Sequence, residues 1–126
     1  MKFATLFLTL FAFAACASDG TPDSRPMTAR YSQPELLRNW ALSACLATVA
    51  KDAADRNDAN ATASAYLEFG EQPIEAYEAL MALVNTYASR RYSGSVPSEF
   101  NTMKCIDLYH SEALGRLVAK LVAPPQ

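Results

Sequence analysis

Cys45, Asp107 and His110 are the residues with which this sequence could carry out covalent chemistry. A thiol nucleophile needs a base to take its proton and a further group to orient that base. The three side chains are of the right types, but their setting argues against the role. Cys45 lies on the stripe Leu42, Cys45, Val49 of an apolar helical pattern. No glycine-rich strand-to-helix turn is present to expose it. His110 is the single histidine of the chain, which leaves little for acid–base work or a histidine-rich metal site. The acidic stretch at 52–62 (DAADRNDANAT) fails as a calcium loop, which needs glycine at the sixth position and glutamate at the twelfth. Counted from Asp55 those positions hold Asn60 and Tyr66; counted from Asp58 the twelfth is Phe69. Asn60-Ala61-Thr62 matches a glycosylation sequon, which matters only on a eukaryotic secretory route. With 4 glycines, a phosphate-cradling loop is also not expected. The chain is read as having no catalytic residues, metal or cofactor.

Contact is a different matter. Residues 91–101 (RYSGSVPSEFN) gather charge, an aromatic ring and small polar groups around Gly94 and Pro97. Arg and Tyr are enriched in binding hot spots, and small serines allow close backbone approach. The plain alternative is an ordinary helix connection whose tyrosine packs on the core. Glu68, Glu71, Glu75 and Glu78 form an acidic cluster, which reads first as a solvated face and second as a surface for a basic partner.

The elements that must position these groups follow from the rest of the chain. Residues 1–17 begin with Lys2, continue through an apolar run and end in small residues, the pattern of a secretory signal peptide. The exit is open between two forms. Cleavage at Ala15-Cys16-Ala17 releases a chain starting at Ser18; a lipobox-like Phe13-Ala14-Ala15-Cys16 leaves Cys16 lipidated. Either way Cys45 and Cys105 remain as a pair. Parity and an oxidising compartment favour a disulfide over two buried thiols. Length and composition agree with a small exported domain. The 126 residues suit one domain, and 51% hydrophobic residues suffice for a core. A net charge of −2 gives no footprint for nucleic acid or an anionic membrane.

Residues 18–33 read as a flexible lead-in and 34–126 as the folded domain. Ser32 or Gln33 caps a first helix over about 34–51, with Pro34 in its first turn. A polar stretch at 52–60 predicts a helix end and a restart near Asp58. A second helix over about 60–69 then ends at Gly70 as a left-handed cap. Pro73 opens a third helix reaching Ser89 or Arg90. Its residues Tyr77, Leu80, Leu83 and Tyr87 exceed what one face of a small bundle needs, a hint of self-association. A fourth helix begins after the loop, and Ser111 predicts a bend near His110. The fold class is all-α, a bundle of four or five helices with one disulfide between the first and fourth.

Three segments carry a family likeness. Trp40-Ala41-Leu42-Ser43 with Cys45-Leu46-Ala47, then Ala65-Tyr66-Leu67-Glu68-Phe69-Gly70, then Lys104-Cys105-Ile106-Asp107-Leu108-Tyr109-His110-Ser111 resemble the immunity proteins of type VI secretion amidases. The class is the one paired with the fourth amidase effector family, and the likeness spans about residues 31–120. It implies a small, exported, all-helical homodimer in the periplasm. Its partner would be a cognate peptidoglycan amidase, occluded by a protruding loop. The matching loop here is 91–101, with Arg91, Tyr92, Ser93, Gly94, Ser95, Val96 and Glu99 as the effector-contacting residues. A membrane enters only if Cys16 is lipidated. The alternative reading is a small periplasmic lipoprotein that scaffolds or holds a lipid within its bundle.

Overall fold

The structure is a computed structural model that describes residues 26–124. The signal-peptide segment, Cys16 and the first part of the expected lead-in lie outside the described residues. Five α-helices follow a 3-10 turn at Thr28–Arg30: α1 Gln33–Val49, α2 Ala53–Glu68, α3 Ile74–Ala88, α4 Asn101–His110 and α5 Glu112–Val122. Among the described residues there is no strand. The end of the expected lead-in is thus ordered, and Tyr31 there packs its ring 6.1 Å from that of Tyr66 on α2.

α1 touches each of the other four helices. Its small buried residues Ala41, Ala44 and Ala47 permit that close approach on several sides. Its start is fixed by Ser32, whose N–H and hydroxyl both donate to the Glu35 carboxylate, at 2.8 and 2.7 Å. These bonds hold the Glu35 carboxyl below its ordinary range. The core joins Leu37, Ala41 and Cys45 of α1 to Tyr77, Leu80, Val84 and Tyr87 of α3. Cys105, Leu108, Leu114 and Val118 close it from α4 and α5. The third-helix residues read as surplus are therefore mostly internal: Tyr77, Leu80 and Tyr87 are buried and Leu83 is partly buried. One face suffices because α3 is covered by α1, α4 and α5 together. The break before α5 falls where expected. The Ser111 hydroxyl accepts from the Leu114 N–H at 3.1 Å and donates to the Leu108 carbonyl at 2.7 Å.

Two helix boundaries differ from the sequence reading. α2 begins at Ala53, not near residue 60, because the Asp52 carboxylate caps it by accepting from the Ala54 N–H at 2.7 Å. Alanine-rich polar sequence then continues the helix without needing a restart. Gly70 is not a left-handed cap: no described glycine has positive φ. The turn is closed by the Gln33 amide, whose Nε2 donates to the Phe69 carbonyl at 3.0 Å and whose Oε1 accepts from the Glu71 N–H at 2.8 Å. Glycine is needed at 70 for space, since a Cβ there would overlap the Tyr77 hydroxyl. That hydroxyl is buried and has no hydrogen-bond partner among the described residues; burial also pushes its pKa up.

The expected disulfide is present. Cys45 and Cys105 are bonded at 2.01 Å with Cα atoms 5.6 Å apart, closing a sequence separation of 60. Both are fully buried. Replacing both cysteines by alanine is expected to lower stability by roughly 2–5 kcal/mol, read by denaturant melts with and without reductant. Gly70→Ala is expected to cost roughly 1–3 kcal/mol by overpacking. Adding Tyr77→Phe to it should restore much of that loss, because the hydroxyl is the atom in the way. Calorimetry on the two single variants and the double variant checks this; simple additivity would exclude the contact as the cause.

Candidate functional site

The loop between α3 and α4 is tied down at both ends and free in the middle. At its start, the Arg90 guanidinium stacks 3.5 Å from the centroid of the Tyr87 ring. It also lies close enough to the Tyr92 hydroxyl to be held more firmly protonated. Tyr92 donates from its hydroxyl to Oδ2 of Asp107 on α4 at 2.6 Å, which pushes the tyrosine pKa up. The far end is tied to the last residue of α1 and to Lys51 just beyond it. Glu99 pairs with Lys51 at 3.0 Å and accepts from Asn101 Nδ2 at 3.0 Å. The Asn101 amide also reaches the Val49 carbonyl at 3.5 Å and accepts from Lys104 Nζ at 2.9 Å.

Phe100 links the ends to the tip. It sits in the left-handed region at φ 52 and ψ 40, the only described non-glycine residue with positive φ. Such a conformation costs on the order of 1–3 kcal/mol and persists only when its surroundings hold it. Here the Phe100 ring lies under Gly94, where a Cβ would stand 2.8 Å from the ring edge. Ser98 Oγ accepts from the Phe100 N–H at 3.1 Å. Beyond these ties, Arg91, Ser93, Ser95, Val96 and Pro97 are exposed, Val96 by 64%. Val96 thus contributes nothing to the core and stands at the outer side of a loop braced at both ends.

The seven loop residues picked from the sequence therefore divide. Arg91, Ser93, Ser95 and Val96 face outward; Tyr92 and Glu99 hold the base; Gly94 makes room for Phe100. Sequence reasoning missed the bracing partners Lys51, Phe100, Asn101, Lys104 and Asp107. Lys51 lies between α1 and α2 and Asp107 on α4, away from the loop in sequence, so nothing local marked them; Asn101 opens α4, whose cap position is Phe100. The covalent reading does not assemble. Cys45 is bonded to Cys105, His110 packs edge-on against Tyr109 at 5.3 Å, and Asp107 serves Tyr92. Among the described residues no three His, Cys, Asp or Glu side chains gather as a metal site. The acidic residues Glu68, Glu71, Glu75 and Glu78 are all exposed. No helix of the described residues is long and apolar enough to cross a membrane.

A stapled all-α domain whose distinguishing feature is one braced, outward-facing loop belongs to the class of small contact proteins. The family model for the type VI secretion system amidase immunity protein, Tai4, matches residues 35–118. In the effector–immunity system Tae4/Tai4 from Salmonella typhimurium, a matching chain is 50% identical, with a TM-score of 0.76 over 79% of this chain and 99% of that one. A chain in the Tae4–Tai4 complex from Enterobacter cloacae is 25% identical, with a TM-score of 0.68 over 76% and 98%. A chain among the type VI-secreted toxins and self-resistance proteins of Serratia marcescens is 32% identical, with a TM-score of 0.73 over 82% and 87%. Curated protein sequences give no match. The protein belongs to the type VI secretion amidase immunity family.

The brace at the far end of the loop depends on pH. Lys51 first, then Asn101, holds the Glu99 carboxyl below the ordinary carboxylate range. A depressed folded pKa means that the tie is complete above the ordinary carboxylate range and is lost as pH falls through the lower folded value. Titration followed by NMR is expected to place the Glu99 carboxyl below the ordinary carboxylate range, with Lys51→Met returning it towards that range. A Glu99 titration insensitive to Lys51 would remove the ion pair from the brace.

Proposed function

We propose that this protein protects its cell by binding a type VI-secreted amidase of the Tae4 kind and blocking the active-site cleft with the loop at 91–101. It is an inhibitor with no catalysis of its own. The observation that carries the reading is the pairing of a loop braced at both ends with an exposed tip of Arg91, Ser93, Ser95 and Val96. A segment ordered before binding loses less conformational freedom on entering a cleft. Family membership supports the partner. A solved complex of Salmonella typhimurium Tae4 with Enterobacter cloacae Tai4 supports recognition across species boundaries.

The proposal includes export to the periplasm by the 1–17 leader, where a disulfide persists. It also includes a homodimer. With Tyr77, Leu80 and Tyr87 inside, the seam falls to exposed Leu67, Phe69 and Ile74 around the α2–α3 turn. The lipid-holding alternative would need an internal chamber, and the depressions along α1–α3 and beside the loop are open to solvent.

Replacing residues 93–98 with a Gly-Ser linker is expected to leave helicity and melting nearly unchanged, since exposed loops contribute little to a core. Calorimetric titration with Salmonella typhimurium Tae4 should show binding weakened by at least roughly 2 kcal/mol, the hot-spot threshold. A variant that folds and inhibits as well as the parent would place the inhibitory contact elsewhere, with the acidic face at Glu68, Glu71, Glu75 and Glu78 next in line.

A further inference from the structure

Lys104 is out of place. It is only 7% exposed, and lysine is rarely buried without a counter-charge. Its ammonium has one hydrogen bond, to the neutral Asn101 Oδ1 at 2.9 Å, and no ion pair among the described residues. Glu99, whose carboxylate feels the Lys104 charge, is already paired with Lys51. Lys104 also stands in the first turn of α4, whose positive end favours acids, and that turn contains none. Lys104 lines a depression of about 430 Å³ beneath the base of the loop. Arg90, Arg91, Tyr92, Ser98 and Glu99 form its walls. Three cationic residues thus line the depression beside one carboxylate already paired with Lys51, and of the two arginines Arg90 is engaged on the Tyr87 ring. Asp107, the other acid on this side, is turned to the Tyr92 hydroxyl.

We infer that this depression is a carboxylate-binding pocket, and that an acidic side chain of the bound amidase enters it and pairs with Lys104 and Arg91. The inference rests on the loop-in-cleft reading, because a partner straddling the loop tip brings the rim of its cleft down to the loop base. An anion there completes the hydrogen bonding of a buried ammonium and supplies the negative charge that the α4 terminus lacks. Arg91, exposed and without a hydrogen bond or ion pair among the described residues, closes over it from the loop. The tip then provides fit, and the base provides a charge pair shielded from water.

The test uses Lys104→Met, which keeps volume and removes the buried charge, and Arg91→Gln, which changes an exposed residue and leaves the core intact. With Salmonella typhimurium Tae4 as partner, Lys104→Met is expected to melt at or above the parent temperature. Its affinity should fall by at least about tenfold. Both variants should show a shallower loss of affinity with added salt than the parent. Parent-like affinity and salt dependence in Lys104→Met would overturn the pocket. The loop-linker variant separates the two readings: if it still binds while Lys104→Met does not, the pocket stands and the plug falls. Should Lys104→Met fail to fold, the Lys104 ammonium resonance in the parent decides. A shift on adding the amidase, diminished in Arg91→Gln, supports the pairing; no shift overturns it. A shift with free acetate but not with the amidase assigns the pocket to small carboxylates and overturns the occupant. No complex between the parent and the amidase overturns both readings.

Discussion

The disulfide between Cys45 and Cys105 is the constraint on which the remaining geometry depends. It fixes α4 against the middle of α1, the helix that touches every other helix. Cys105 lies one turn into α4, so the bond also sets where that helix begins. Phe100, Asn101 and Lys104 take their positions from that start, and the loop base takes its position from them. Closing a loop of this length restricts the unfolded chain, which by the chain-entropy model stabilises the fold by roughly 4 kcal/mol. For a domain this small that is a large share of a total stability of about 5–15 kcal/mol.

Given that anchor, the loop needs few further ties. A tyrosine–aspartate hydrogen bond holds one end and a lysine–glutamate–asparagine set holds the other. These surface bonds are individually weak; exposed ion pairs contribute about 0–1 kcal/mol. Their value lies in direction. One ties the loop to α4 and the other to the connection between α1 and α2, so the backbone between them has little freedom left. The left-handed turn at Phe100 then folds an aromatic ring beneath Gly94 and props the tip outward.

Charge is distributed with the same division. α2, α3 and the turn between them keep their acids outside, as with Glu68, Glu71, Glu75 and Glu78, while cationic residues collect under the loop around buried Lys104. Burying an ammonium beside a neutral amide does little for the isolated domain, since the cost of desolvation is met by a single hydrogen bond. A binding protein can tolerate such a group where its partner completes it. The hydroxyl of Tyr77, buried over Gly70, shows the opposite case: the ring fills the core, and the hydroxyl has no recipient.

What the sequence by itself determined is what short-range physics controls. Apolar residues at three- and four-residue spacing set the helices, Ser32 and Ser111 set two starts, and Gly94 with Pro97 kept the loop from being helical. The cysteine pairing was legible because only Cys45 and Cys105 lie in the segment read as the folded domain. The positions decided by the tertiary structure are those whose partner is distant in sequence. The Gln33 amide, far along the chain from Phe69 and Glu71, closed a turn that looked like a glycine cap; the earlier start of α2 was a local matter, a cap by Asp52 on the nearby Ala54 N–H. Tyr77, Leu80 and Tyr87 turned inward because three helices cover α3, which no periodicity within α3 reveals. Tyr92 and Glu99 carried the right chemistry for contact and were taken up as braces, because Asp107 and Lys51 came within reach only once the disulfide and α1 had placed them. Periodicity records which face of a helix is apolar; how many neighbours cover that face, and which polar groups they bring, is settled when the chain closes on itself.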